Sequence, residues 1–326
     1  MAKSIEARKA ILRKRILGTY EQMGLLPKLF LYVMLIAIGF VYVFPLLSML
    51  VMSFETLEDL LDSSVKWIPN TLCWDNYKKA FEVMEFTEHI QDTLLLTAVP
   101  ALFQTISCGL AGYGLARFNF KGKNILMLLV LLTFIVPFPL IMLPTYMMYS
   151  DYGILGSAWT MLLPALFGQG LRSAIFILIF KAMFEQTPRS LDEAARVDGA
   201  SEKRVFFTIG IPLGVSGMLT TFLFSFVWYW NETYTTSLYI TNTGRNVNLS
   251  TLMMELDRFE ASYSAYLQNQ YGGTAVGAAA ASSGNALNEA VTMAGVMITI
   301  LVPLLIYFCL QRYFVQAIDR SGITGE

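Results

Sequence analysis

Long apolar runs alternate with shorter polar ones along this chain. The runs are too uniform to be one wet and one dry face of a soluble helix. About 20 apolar residues cross a bilayer as a helix. Six stretches reach that length: Leu29–Phe54, Thr93–Ala116, Asn124–Met148, Ser157–Phe180, Leu213–Trp230 and Ala290–Leu310. Helices are the expected spanning element, because lipid leaves backbone N–H and C=O groups no other partner. The third stretch holds Pro137, Pro139 and Pro144, which remove backbone bonds and predict a kink. The fourth is interrupted by Gly168, Gly170 and Arg172. The pattern predicts an all-α polytopic membrane protein with six transmembrane helices. A polar arm over residues 1–28 precedes the membrane domain at 29–310, and a tail over 311–326 follows it.

Composition agrees. Of 326 residues, 55% are hydrophobic and 14% charged, and mean hydropathy is +0.54. A soluble domain carries about 25% charged residues. A net charge of −1 gives no case for a nucleic-acid partner. His89 is the only histidine, and Cys73, Cys108 and Cys309 have no metal-ligand spacing. That excludes a histidine-based metal site or catalytic triad. The arm lacks a cleavage site after a short apolar core, so it reads as a cytoplasmic extension rather than a signal peptide.

Lysine and arginine set direction. One side holds the arm with Lys3, Arg8, Lys9, Arg13, Lys14, Arg15 and Lys28, then Arg117, Lys121 and Lys123. The same side holds Lys181, Arg189, Arg196, Lys203 and Arg204, and finally Arg312 and Arg320. The other side holds only Lys66, Lys78, Lys79, Arg245 and Arg258. Both termini and the hairpin at 186–212 are thereby expected in the cytoplasm. The outer segments Glu55–Asp92 and Asn231–Glu289 are long. The second carries the Gly/Ala/Ser run Ala275–Ser283 and reads either as a docking surface or as a tolerated insertion.

Within the hairpin, Ser190 to Glu193 fits a capping box, with Ser190 as N-cap and Glu193 reaching back. Leu191, Ala194, Ala195 and Asp198 share one helical face, kept shallow by the alanines. Gly199 suits a turn with positive φ. Ser201 can cap a second helix from about Glu202 that carries Val205, Phe206 and Ile209, and Pro212 marks entry to the fifth span. Two readings stand at this point: an ordinary helix-turn-helix against the protein's own underside, or a lever for a soluble partner.

Glu193-Ala194-Ala195, Asp198-Gly199-Ala200, Phe206, Ile209 and Pro212 fall where the EAA coupling motif places them, and the stretch resembles that motif of ABC-importer permeases. Other segments extend the resemblance to nearly the whole chain. Tyr113 and Gly114, within AGYGLARF, resemble the segment that precedes the first inner loop in that family. Trp228-Tyr229-Trp230-Asn231-Glu232 resembles the aromatic-Asn segment of carbohydrate-importer permeases. The tail Gln311–Gly325 resembles the ending of sugar permeases of the maltose-importer type, with Thr324 where lysine is often found. Gly168 to Arg172 replaces a common Pro-Phe pair, and the outer insert is longer than usual.

The resemblance implies an ABC type I importer permease fold and import of a carbohydrate, an oligosaccharide rather than a monosaccharide. The implied partners are a second permease, two cytoplasmic ATPase copies and an extracellular solute-binding protein. It places the chain in a prokaryotic inner membrane. It assigns ATPase coupling to Glu193, Ala194, Ala195, Asp198, Gly199, Ala200 and Phe206, and tail contacts to Arg320, Gly322, Thr324 and Gly325. No P-loop pattern occurs. The chain is thus expected to bind no cofactor and to leave ATP and Mg to the partner ATPase.

Arg172, Trp228, Trp230 and Asn231 are pathway or gate candidates. For Arg172 the alternatives are a structural bond to a carbonyl of a broken helix or an anchor at the outer interface. For the tryptophans the alternative is an interfacial aromatic belt. Among functions, an ABC permease for another solute, such as glycerol phosphate or polyamine, is the first rival. An ion-coupled carrier is a second, although the six stretches contain no Asp or Glu. A membrane enzyme would need a constellation of His, Cys or carboxylates within the spans, and a pure scaffold would not need the hairpin.

Overall fold

The computed structural model describes residues 16, 23–62, 68–241, 249–272 and 289–320; for residues 313–320 it describes the backbone only. The chain divides into two compact units, Met1–Asn76 with Asn288–Met297 and Tyr77–Leu287 with Ile298–Glu326.

In the first unit, α1 (Leu25–Met52) is a 28-residue apolar rod with no buried residue. A helix apolar all round that stays largely exposed among the described residues is suited to lipid. It ends in a short folded outer segment. There α2 (Leu57–Leu61) begins in a capping box made by Thr56 and Asp59. Asn70 donates to Asp59 at 2.7 Å. Asn76, fully buried, donates to the carbonyls of Ser53 and Glu55 at 3.0 and 2.8 Å, which fixes where the rod stops.

The second unit is built on α4 (Phe86–Arg117), which follows α3 (Asp75–Val83). The sequence-based second span is right in its core but short. Two limbs follow, α5 (Lys123–Ile135) and α6 (Phe138–Asp151), and the third stretch is therefore not one rod. It bends by 101° at Val136–Pro137. Pro137 supplies the break and Pro139 sits in the first turn of α6, where a missing N–H costs nothing. Tyr239 donates to the Met142 carbonyl at 3.1 Å and holds the second limb.

The fourth stretch is also divided, into α7 (Trp159–Leu166) and α8 (Ser173–Gln186). Then come α9 (Arg189–Val197) and α10 (Glu202–Val205), a π-helical turn over Phe206–Gly210, and α11 (Ile211–Trp230). The last three run on as one 29-residue apolar helix, Glu202–Trp230. Pro212 thus does not open a new helix; it occupies the first turn after the π-bulge.

The core lies where α4 crosses α8, around Cys108, Tyr113, Phe176, Phe180 and Phe184. Gly112 brings the two backbones together. A Cβ there would overlap Phe180 and reach the Lys181 backbone nitrogen at 3.0 Å. Small residues at such a crossing give the close packing that replaces hydrophobic drive in lipid.

The described parts of the insert at 231–289 are folded. They form Tyr234–Thr241, α12 (Leu252–Asp257) and α13 (Phe259–Tyr271). The Leu252 N–H donates to Thr93 at 2.9 Å, and Tyr266 donates to Glu82 at 2.8 Å. The run Ala275–Ser283 lies outside the described residues. Finally, α14 covers Glu289–Arg320.

Candidate functional site: a polar hairpin and a broken helix

The hairpin is closed by its own chemistry. Ala200 N–H donates to the Ala195 carbonyl at 2.9 Å, and Gly199 takes φ +83° with open space where a Cβ would stand. Ser201 caps α10 by accepting from the Arg204 N–H. Arg196 grips Glu202 through both guanidinium arms, at 2.7 and 3.1 Å. That hydrogen bond pushes the pKa of the Arg196 guanidinium above its ordinary value. Arg196 stays exposed, and its head group staples the two short helices together.

The N-terminal cap is not the one the sequence suggests. Pro188 occupies the cap position of α9, and no side chain caps it. Ser190 lies inside the first turn. The carboxylate that matters is Asp192, buried against Arg117 at 3.4 Å, with both side chains about 5% exposed. Arg117 also donates to the Thr187 carbonyl at 3.0 Å. A buried cation needs its anion more than a helix terminus needs a cap. Neither residue of this anchor was singled out from the sequence.

With Asp192 turned inward, the opposite face is left open. Glu193, Ala194, Asp198 and Gly199 are exposed, and Ala195 and Ala200 are half-buried. Glu193 makes no ion pair among the described residues. Leu191 and Val197 show 45% and 87% of their surface. Phe206 does not join them. It packs on Tyr113 at 4.7 Å, and its neighbour Phe207 is the exposed ring, at 64%.

The second feature is the unwound stretch Phe167–Arg172 between α7 and α8. It lies beside Gln104, about 20 Å along α4 from Arg117 at 1.5 Å per residue, well inside a bilayer core of about 30 Å. Unwound backbone at that depth must find partners within the protein. Gln104, fully buried, donates to the Leu171 carbonyl at 2.5 Å and accepts from Ser225 at 3.0 Å. The Leu171 N–H donates to the Tyr229 hydroxyl at 3.2 Å. Ser107 donates to the Ala165 carbonyl at 2.7 Å. Gly170 leaves no room for a side chain: a Cβ would strike the Tyr229 hydroxyl and stand 2.9 Å from Gln104 Oε1.

Arg172 ends this stretch in the left-handed region, at φ 54°. Its guanidinium lies 5.1 Å from the centre of the Trp228 ring. Two of the pathway candidates therefore meet. The other two do not join them. Trp230 is buried against Phe226, and Asn231 is exposed, returning a hydrogen bond to the Val227 carbonyl at 2.7 Å. Gly322, Thr324 and Gly325 lie outside the described residues, and Arg320 closes α14.

Over residues 108–320, which include both features, the chain matches the family described as binding-protein-dependent transport system inner membrane component. The chain belongs to that family. Among its relatives is the polygalacturonan/rhamnogalacturonan transport system permease protein YtcP of Bacillus subtilis (strain 168). It is 25% identical over 295 residues, 90% of this chain and 97% of the relative. The arabinooligosaccharides transport system permease protein AraQ of Halalkalibacterium halodurans is 26% identical over 88% of this chain and 93% of its own length. The lactose transport system permease protein LacG of Rhizobium radiobacter is 25% identical, over 91% and 96%.

The fold is shared with a solved bacterial ABC transporter involved in the import of the acidic polysaccharide alginate. The TM-score is 0.68 at 18% identity, over 88% of this chain and 96% of that one. The protein is thus a multi-pass permease subunit of an ABC importer and not an enzyme. It works with a solute-binding protein and an ATPase, and ATP hydrolysis belongs to that separate subunit.

Proposed function

We propose that this permease imports a carbohydrate, an oligosaccharide in particular, and that the hairpin at 186–212 is where the ATPase pushes. The observation that carries the coupling reading is the division of α9 into an anchored and an open face. Asp192 ties it to Arg117, while Glu193, Val197 and Phe207 are exposed. The carbohydrate reading rests on the relatives named for polygalacturonan/rhamnogalacturonan, arabinooligosaccharide and lactose transport.

The geometry supports a mechanism. A push on the hairpin has two rigid outlets. One is the ion pair into α4, whose Gln104 and Ser107 hold the unwound stretch. The other is the continuous helix Glu202–Trp230, whose Trp228 and Tyr229 hold the same stretch from its other side. Displacing the hairpin therefore strains the break at membrane depth, where a pathway would open. Arg172 and Trp228 belong to that pathway in this reading; buried Trp230 and self-bonded Asn231 support it.

The assembly is this chain, a second permease, two ATPase copies using ATP and Mg, and an external binding protein. Both termini are cytoplasmic, the tail with Arg320, Gly322, Thr324 and Gly325 reaches the ATPases, and this chain holds no cofactor. The test is purification from mild detergent with Glu193→Arg beside the native chain. Co-purification of an ATPase and a second permease, with the ATPase lost in the variant, is the expected result. A chain that purifies alone and ignores the substitution overturns the coupling reading.

A further inference from the structure

Arg172 carries a charge that the described structure leaves uncompensated. A cation at a helix centre costs about 3 kcal/mol on insertion scales, and such charges pair with acids wherever acids are in reach. The sequence-based spans contain no Asp or Glu, and among the described residues Arg172 has no ion-pair partner. Its neighbour is an aromatic face instead. Trp228 lies 5.1 Å from the guanidinium carbon, half-buried, with Phe176 packed on it at a centroid distance of 5.1 Å. An aromatic face steadies a cation without neutralising it.

The surroundings are also built rather than incidental. Arg172 holds a left-handed backbone that a glycine would adopt more cheaply. The residue before it is fixed on both sides, its N–H by Tyr229 and its carbonyl by Gln104. Those two partners are at most 4% exposed. The side chain itself is exposed in this subunit, as is Gln169 one turn back. A rigid cradle thus presents a free guanidinium above an indole at membrane depth. Guanidinium takes carboxylate through two parallel hydrogen bonds, and indole takes the apolar face of a pyranose ring.

We propose that Arg172 and Trp228 form a solute contact for acidic oligosaccharides, in which a uronate carboxylate supplies the missing counter-charge. The proposal rests on the carbohydrate-import reading above.

The experiment uses the complete transporter in proteoliposomes with its binding protein and ATP inside. The solutes are radiolabelled uronate trimers of glucuronate, galacturonate and mannuronate, each beside the same trimer with its carboxyls reduced to alcohols. The native transporter is expected to take up at least one uronate trimer. Arg172→Gln should lower that uptake about tenfold or more, the size of a charge-assisted bond, while uptake of the reduced trimers stays as it is in the native transporter. Arg172→Lys should recover part of it.

Uptake of reduced trimers in preference to uronates overturns the proposal and keeps the carbohydrate reading. Equal losses for both trimer types, or dissociation of the second permease from Arg172→Gln, also overturn it and assign Arg172 to a subunit contact. Failure of every trimer to be transported or to stimulate ATP hydrolysis removes the carbohydrate reading together with the proposal.

Discussion

Two interruptions of helix define this permease, and they are treated oppositely. At Phe167–Arg172 both backbone groups of Leu171 are met by buried side chains from α4 and α11. At Val197–Ser201 the turn closes on itself through Gly199, and its side chains are left facing out. The difference is the solvent. In hydrocarbon an unmet N–H or C=O costs several kcal/mol, so a break must be cradled. In water the same groups cost little, and the turn is free to offer its surface to a partner. A cradled break is sensitive to any change of shape, whereas an open turn is sensitive to changes of surface chemistry.

That contrast can be broken, and the largest effect is expected where the two regions join. Asp192→Ala leaves Arg117 buried without its anion and should destabilise the subunit by about 3–5 kcal/mol. Thermal unfolding in detergent measures it. Exchanging the pair as Arg117→Asp with Asp192→Arg should recover most of the loss, and an exchange no better than Asp192→Ala would mean the ion pair is not what anchors the hairpin.

Gly170→Ala comes next, at about 1–3 kcal/mol, because its methyl group has no place beside Tyr229 and Gln104. Gly199→Ala serves as its counterpart in water. It meets only backbone strain, about 1 kcal/mol, and a loss equal to that of Gly170→Ala would erase the contrast.

Gln104→Leu removes the partner of both Leu171 and Ser225 and should cost about 1–3 kcal/mol. Its second readout is protease or hydrogen-exchange protection at Phe167–Arg172, which should fall while the hairpin stays unchanged.

The smallest stability effect belongs to Glu193→Arg, within about 0.5 kcal/mol because the side chain is exposed and unpaired among the described residues. Its functional effect is large by contrast: loss of ATPase binding with the melting temperature unchanged. A melting shift as great as that of Asp192→Ala would place Glu193 inside the fold rather than at a docking face.

Much of this was legible before any coordinates. The apolar runs marked the membrane elements because a bilayer imposes a length on them. Gly199 and Ser201 did what their local chemistry dictates, the one by tolerating positive φ and the other by capping α10. Proline located the bend at Val136–Pro137, although neither its 101° angle nor the harmless seat of Pro139 follows from a proline alone. Ser190 misled, since a capping box is a local bargain that a buried charge pair outbids, and that pair joins positions 75 residues apart. Phe206 and Phe207 could not be told apart by type. The π-helical turn rotates one inward to Tyr113 and the other outward.

The sequence by itself determined what resembles solvent: which segments dissolve in lipid, and where a turn residue is chemically required. These are properties of neighbouring residues, so short windows contain them. Tertiary structure alone decided which polar groups meet. Gln104 with Leu171 and Ser225, Arg117 with Asp192, and Arg172 with Trp228 are each set by how α4, α8 and α11 cross. Close approach through Gly112 fixes one of those crossings, and a glycine's spacing on one helix carries no record of the helix that will lie against it.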